Sequence, residues 1–167
     1  MIDLKENEAQ VVNDLKALEG KYLTFSLMGE EYGLGILKVR EILGMMPITP
    51  IPQTPAYLKG VINLRGKITP VVDLRAKFGF PQKEYTPETC IIVVETRHRT
   101  MGVIVDTVSE VLDISVTSLE PVPPLGRQVK TDFILGIAKV GESVKLLLDI
   151  DRILTIGEME VLETAIG

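Results

Sequence analysis

Tryptophan is absent from this sequence of 167 residues, and cysteine and histidine occur once each, as Cys90 and His98. One thiol cannot close an intramolecular disulfide, and two such residues are too few for a zinc site built from cysteine and histidine. A serine or cysteine nucleophile would have a single histidine to call on, and no Gly-x-Ser-x-Gly elbow occurs. No uninterrupted apolar run approaches the ~18 residues that span a bilayer. The opening Met1-Ile2-Asp3-Leu4-Lys5-Glu6 also lacks the basic flank and apolar stretch of a signal peptide. A cytoplasmic protein with no direct membrane insertion is the expectation. Basic residues number 18 against 23 acidic ones, a net charge of −5, which argues against nucleic acid or an anionic membrane as a bulk partner.

What is plentiful points to strands. Hydrophobic residues make up 46% of the chain, which excludes disorder. There are 18 valines and 17 isoleucines, and β-branched side chains favour pleated surfaces. The 14 glycines and 10 prolines suit many short strands joined by turns. An all-β fold with minor short helices follows, with Cys90 buried and inert in the run Cys90-Ile91-Ile92-Val93-Val94.

Residues 1–19 form a charged lead, with Leu4, Val11, Leu15 and Leu18 at helical spacing before Gly20. Leu23, Phe25 and Leu27 alternate with polar neighbours, the pattern of a half-buried strand, and Gly29-Glu30-Glu31 turns the chain into the next one. Residues 60–63 and 67–72 read as a hairpin around Leu64-Arg65-Gly66. Pro47, Pro50, Pro52 and Pro55, and later Pro121, Pro123 and Pro124, mark edges or connectors, because proline has no N–H for a ladder. Thr155-Ile156-Gly157-Glu158 has capping-box spacing, and Met159, Leu162 and Ile166 share a face of a final helix over about 156–166.

The chain also repeats itself. Shifted by 69 residues, Gly33-Leu34-Gly35-Ile36 lies over Gly102-Val103-Ile104-Val105, and Val39, Glu41, Ile42 and Leu43 lie over Val108, Glu110, Val111 and Leu112. Shifted by 76, Gly60-Val61 meets Gly136-Ile137, and Val71-Val72-Asp73-Leu74 meets Leu147-Leu148-Asp149-Ile150. The seven-residue expansion falls in the loop from Ser115 to Thr131. Two copies of a strand-rich unit, about 20–85 and 86–155, imply two barrels or barrel-like sheets packed together. Asp73 and Asp149 then become helix N-caps rather than a metal or catalytic pair.

Other motifs are incomplete. Gly60-Val61-Ile62-Asn63-Leu64-Arg65-Gly66-Lys67 has five residues between its glycines where a phosphate loop has four, and Ile68 stands where the hydroxyl belongs. Gly33-Leu34-Gly35 lacks the third glycine of a dinucleotide fingerprint. No cofactor is implied, and no enzyme. Lys59, Arg65, Lys67, Arg75 and Lys77 against Asp73 alone make a basic island of +4, either a solvated face or a dock for an acidic protein surface.

Several blocks together resemble the CheW family of bacterial chemotaxis coupling proteins. They are Glu31-Tyr32-Gly33-x-x-Ile36-Leu37-Lys38-Val39-x-Glu41-Ile42, Ile48-Thr49-Pro50-Ile51-Pro52, Lys59 to Gly66, and Pro70-Val71-Val72-Asp73-Leu74. Gly102-x-x-Val105-Asp106-x-Val108 and Leu147-x-Asp149 continue the likeness, which covers about residues 20–155 and leaves the lead and the 156–167 helix outside. The resemblance implies two tandem five-stranded SH3-like β-barrels with a hydrophobic groove between them. It further implies a non-enzymatic adaptor that joins the cytoplasmic tips of chemoreceptors to the histidine kinase CheA, at receptor arrays on the inner membrane. Carried over by position, the receptor-facing groove falls at Leu23, Ile36, Val39, Ile42 and Val108, with Glu41 and Arg65 at its polar margin. The kinase contact falls at the hairpin around Gly60, Asn63 and Gly66. A two-barrel module for a different kinase or a small apolar ligand is the alternative.

Overall fold

The computed structural model describes residues 4–123 and 132–166, so the part of the expansion loop over 124–131, with Pro124, lies outside the described residues. Helix α1 (Leu4–Lys16) is followed by β1 (Gly20–Leu27), β2 (Glu30–Gly35), β3 (Val39–Gly44), β4 (Leu58–Leu64), β5 (Lys67–Asp73) and the one-turn helix α2 (Leu74–Lys77). Then come β6 (Cys90–Glu95), β7 (Thr100–Val105), β8 (Thr107–Ile114), β9 (Leu119–Glu120), β10 (Ile134–Val140), β11 (Ser143–Leu148) and α3 (Ile156–Ile166).

The strands form two sheets, in the orders β8-β1-β2-β11-β10-β9 and β3-β6-β7-β5-β4. The halves of the sequence are therefore not the halves of the fold. β1 and β2 of the first copy sit among β8, β10 and β11 of the second, while β6 and β7 of the second copy sit among β3, β4 and β5 of the first. Each exchange is sealed by a parallel pair in the same register: Gly33 opposite Leu147 on β2 and β11, and Gly102 opposite Val71 on β7 and β5. These two pairs superpose under the 69- and 76-residue shifts, so the repeat is one of structure. Both glycines are close-packed, because a Cβ on Gly33 would come 2.9 Å from the Leu147 side chain and one on Gly102 2.7 Å from the Ile91 side chain.

The chain leaving the edge strand of each sheet crosses to the opposite edge. After β3, Thr49 bridges Val61 of β4 through two backbone hydrogen bonds of 2.9 Å. After β8, Leu119 and Glu120 pair with Ala138 and Ile137 of β10. This second crossing is long enough to count as a sixth strand, where five were expected. Closure removes the exposed ladders that an open sheet would present.

Side chains alternate between two kinds of core. Tyr22, Leu119, Ala138 and Leu147 fill the inside of the first sheet, and Ile62, Val71, Ile91, Val93 and Ile104 fill the second. Their alternates Leu23, Phe25, Ile92, Val94, Val72 and Val103 join a larger core between the sheets. So β1 is buried on both faces, not half-buried as its period-2 pattern suggested. Thr24 escapes the polar penalty because its hydroxyl donates to the Glu110 carbonyl (2.9 Å) across the β1–β8 irregularity.

Local signals are realised closely. Asp73 caps α2 by accepting from the Arg75 N–H (2.9 Å), and Asp149 accepts from the Asp151 N–H (3.0 Å) at the equivalent 3-10 turn. Thr155 and Glu158 form the capping box of α3, with bonds of 2.8 and 3.1 Å, and Met159 and Leu162 are buried. In the lead, Leu15 and Leu18 pack on the first sheet's core, but Val11 is exposed. The first hairpin turns at Met28-Gly29, both with positive φ, one residue earlier than the sequence suggested.

Candidate functional site

Antiparallel partners point their side chains to the same face. Val39 lies opposite Val94, and Ile42 opposite Ile92, whose side chains belong to the core between the sheets. In the other copy, Val108 lies opposite Phe25 and Val111 opposite Leu23, again core residues of the same cluster. β3 and β8 are both edge strands, so their outer residues have no further strand to cover them. Ile36, Val39 and Val108 are half-buried against the core, while Ile42 and Val111 stand 46% and 50% exposed. The result is an apolar strip on each of two equivalent edges. The repeat pairs Ile42 with Val111, a signal that should have placed Val111 in the site at the outset.

Four expected site residues are built into the fold. Leu23 is only 3% exposed and belongs to the core, so it supports the strip from beneath and presents no surface to a partner. Gly60 is buried with φ of 141°, and a Cβ there would lie 2.1 Å from the Thr49 carbonyl oxygen. It is the point where the closing segment crosses β4. Asn63 and Gly66 build the β4–β5 turn: the Asn63 side-chain oxygen accepts from the Gly66 N–H at 2.8 Å. Arg65 and Gly66 both have positive φ, the geometry of a tight hairpin whose twist matches its strands.

That turn projects the Arg65 side chain outward, where its guanidinium makes a paired contact with the carboxylate of Glu41 on β3. The bond from Arg65 holds the Glu41 carboxyl below its ordinary range. The other copy has Gly141 and Glu110 at these positions, so the pair marks one edge and not its equivalent. Pairing also dissolves most of the basic island. Lys59 lies 3.9 Å from Asp73, Arg75 grips Asp106 at 2.6 and 2.7 Å, and Lys77 meets Glu158 at 2.7 Å. Four of its five cations are spent within the chain, so an open basic dock is not what the island forms.

Cys90 is buried, and burial pushes its thiol up, consistent with an inert role. Among the described residues no group of three or more His, Cys, Asp or Glu side chains is placed to hold a metal ion. No helix among them is long and apolar enough to cross a membrane.

A duplicated, strand-exchanged pair of small closed sheets, with an apolar strip at each of two equivalent edges, defines a two-sheet β module. Residues 21–158 match the family model of the CheW-like domain, and the chain belongs to that family. It is 39% identical over 143 residues to the chemotaxis protein CheW of Klebsiella aerogenes, covering 86% of each chain. The chemotaxis protein CheW of Bacillus subtilis is 35% identical over 130 residues, with 78% of this chain and 81% of that one covered. Among solved structures, the scaffolding protein TtCheW of Thermoanaerobacter tengcongensis superposes with a TM-score of 0.76 at 38% identity, covering 84% of this chain and 96% of that one.

Proposed function

We propose that this protein is a non-enzymatic adaptor that couples the cytoplasmic tips of chemoreceptors to the histidine kinase CheA, recruited to receptor arrays at the inner membrane. The observation that carries the reading is the apolar strip, in which Ile42 and Val111 remain exposed at matching positions on two edge strands. A helix laid along one such edge buries its apolar anchors against Ile36, Val39 and Ile42, and one laid along the other against Val108 and Val111, the mode of helix-in-groove recognition. Glu41 and Arg65 orient that helix at one margin. The β4–β5 hairpin, with Asn63 and Gly66 setting its turn, is the kinase-facing end in this reading, and Gly60 acts there through the backbone alone. The names of its relatives, chemotaxis and scaffolding proteins, support the same assignment.

Sedimentation of receptor-bearing membranes with purified CheA tests it. Wild type carries CheA into the pellet. Ile42→Asp/Val111→Asp, changed only at exposed positions, keeps its melting curve and its CheA binding but loses receptor affinity by about tenfold or more. A folded double variant that sediments like wild type overturns the assignment of the strip.

A further inference from the structure

Away from the strip, and sharing no residue with it, lies a cavity of about 870 Å³. That volume is in the range of small-molecule sites, roughly 300–1,000 Å³. It opens between β2, β10 and β11 of one sheet, the β6–β7 turn of the other, and the start of α3. Its wall is built on stacked rings: Phe78 lies 5.1 Å from Phe133 and 5.8 Å from Tyr32, and Phe80 meets Phe78 edge-on. Leu146, Ile153 and Met159 complete an apolar lining. Phe133 stands where the first copy has Tyr57, and the carbonyl of each accepts from an equivalent aspartate N–H, of Asp149 and Asp73 respectively, at 2.8 Å.

The charges on the lining are not equally committed. Lys77 is held by Glu158 at 2.7 Å. Asp151 already accepts from Lys38 at 3.0 Å and from the Arg97 backbone N–H at 2.8 Å. Among the described residues Arg97 and Arg152, by contrast, approach their carboxylates only through Nε, at 3.5 and 3.6 Å, and their side chains are 70% and 62% exposed. Both guanidiniums therefore keep terminal N–H groups to offer at the cavity, where Asp132 is the remaining acidic group of the described lining. A guanidinium with uncommitted donors recognises a planar anionic head. Asp132 and Asp151 weigh against a polyanion.

We infer that this cavity is a binding site for a monoanionic amphiphile, a compact aromatic or acyl body carrying one carboxylate or sulfonate. The body stacks on the Phe78–Phe133 wall, and the head meets Arg97 and Arg152. This site is separate from the adaptor strip and stands or falls without it.

Fluorescence titration of the full chain with anilinonaphthalene sulfonate tests the inference, with decanoate as competitor and uncharged phenylnaphthylamine as the neutral probe. The expected result is saturable, blue-shifted binding of the sulfonate that decanoate displaces. Leu146→Trp, which places an indole in the cavity, weakens both probes by about tenfold or more. Arg97→Glu/Arg152→Glu, at exposed positions, weakens the sulfonate and leaves phenylnaphthylamine unchanged. Absence of saturable binding, failure of decanoate to compete, or equal sulfonate affinity in the folded charge-reversed variant overturns the proposal. If Leu146→Trp does not fold, the charge-reversed variant with its two probes decides alone.

Discussion

Arg65 and Glu41 join the two ends of a sheet. Glu41 lies on β3, the first strand in the order β3-β6-β7-β5-β4, and Arg65 follows β4, the last. Their ion pair therefore spans the closure seam. Because both side chains reach solvent, the pair sets orientation more than stability. Arg65→Glu is expected to leave the melting curve almost unchanged and to weaken receptor sedimentation, and Glu41→Arg to do the same. Combining the two recovers much of the binding, since the pair is rebuilt in reverse. A double variant no better than either single one would mean that each residue acts on the partner independently.

Leu23 and Val39 separate support from contact. Leu23→Ala removes a fully packed side chain from the central core and is expected to cost about 2–5 kcal/mol of stability, read by urea unfolding. Val39→Ala, at a half-buried edge position, costs much less and shows its effect in receptor binding. Equal losses of stability would place Val39 in the core rather than in the strip.

Gly60 is the least replaceable residue of the expected kinase-facing hairpin. A methyl group there meets the Thr49 carbonyl at 2.1 Å and the Pro50 Cα at 2.8 Å, which are backbone atoms that cannot swing away, and φ of 141° already disfavours any side chain. Gly60→Ala is expected to break the Thr49–Val61 bridge and to lower the melting temperature sharply. Hydrogen exchange of the Thr49 and Val61 amides should rise above that of wild type. Gly66→Asn, at a turn position whose φ of 86° asparagine tolerates better than most residues, is the mild control.

Acid should loosen the contact between the two copies. Burial pushes the Asp106 carboxyl up, but bonds from Arg75 and from the Met28 N–H outweigh it and hold the group below its ordinary value of 3.8. Glu158 and Asp151 are likewise held low, against burial, by Lys77 and Lys38 respectively. A carboxyl depressed in the folded state contributes stability that is fully present above its unfolded value. That contribution fades as pH falls through the folded value. Stability in urea is thus expected to be level above about pH 5 and to drop below about pH 4. In Arg75→Gln the drop is shallower, because part of the linkage is already gone; a drop as steep as that of wild type would remove Asp106 from the acid response.

The features legible in the sequence are those set within a few residues. The flanking strand patterns over 60–63 and 67–72 placed a hairpin around Leu64-Arg65-Gly66. Asp73 and Asp149 declared themselves as caps by preceding short helical patterns, and Thr155 with Glu158 by their spacing. The two constant registers revealed the duplication, and through it the equivalence of Val39 with Val108. Tertiary structure alone decided which copy supplies each strand. Because the copies carry equivalent edges, β2 could meet β5 or β11 with similar contacts, and no local pattern distinguishes pairing within a copy from pairing between copies. The same exchange buries both faces of β1, withdraws Leu23 from the surface and brings Arg75 to Asp106, while closure of the second sheet buries Gly60 and brings Arg65 to Glu41. Those encounters join residues 24 or 31 positions apart along the chain, and only the closed sheets bring them within a hydrogen bond.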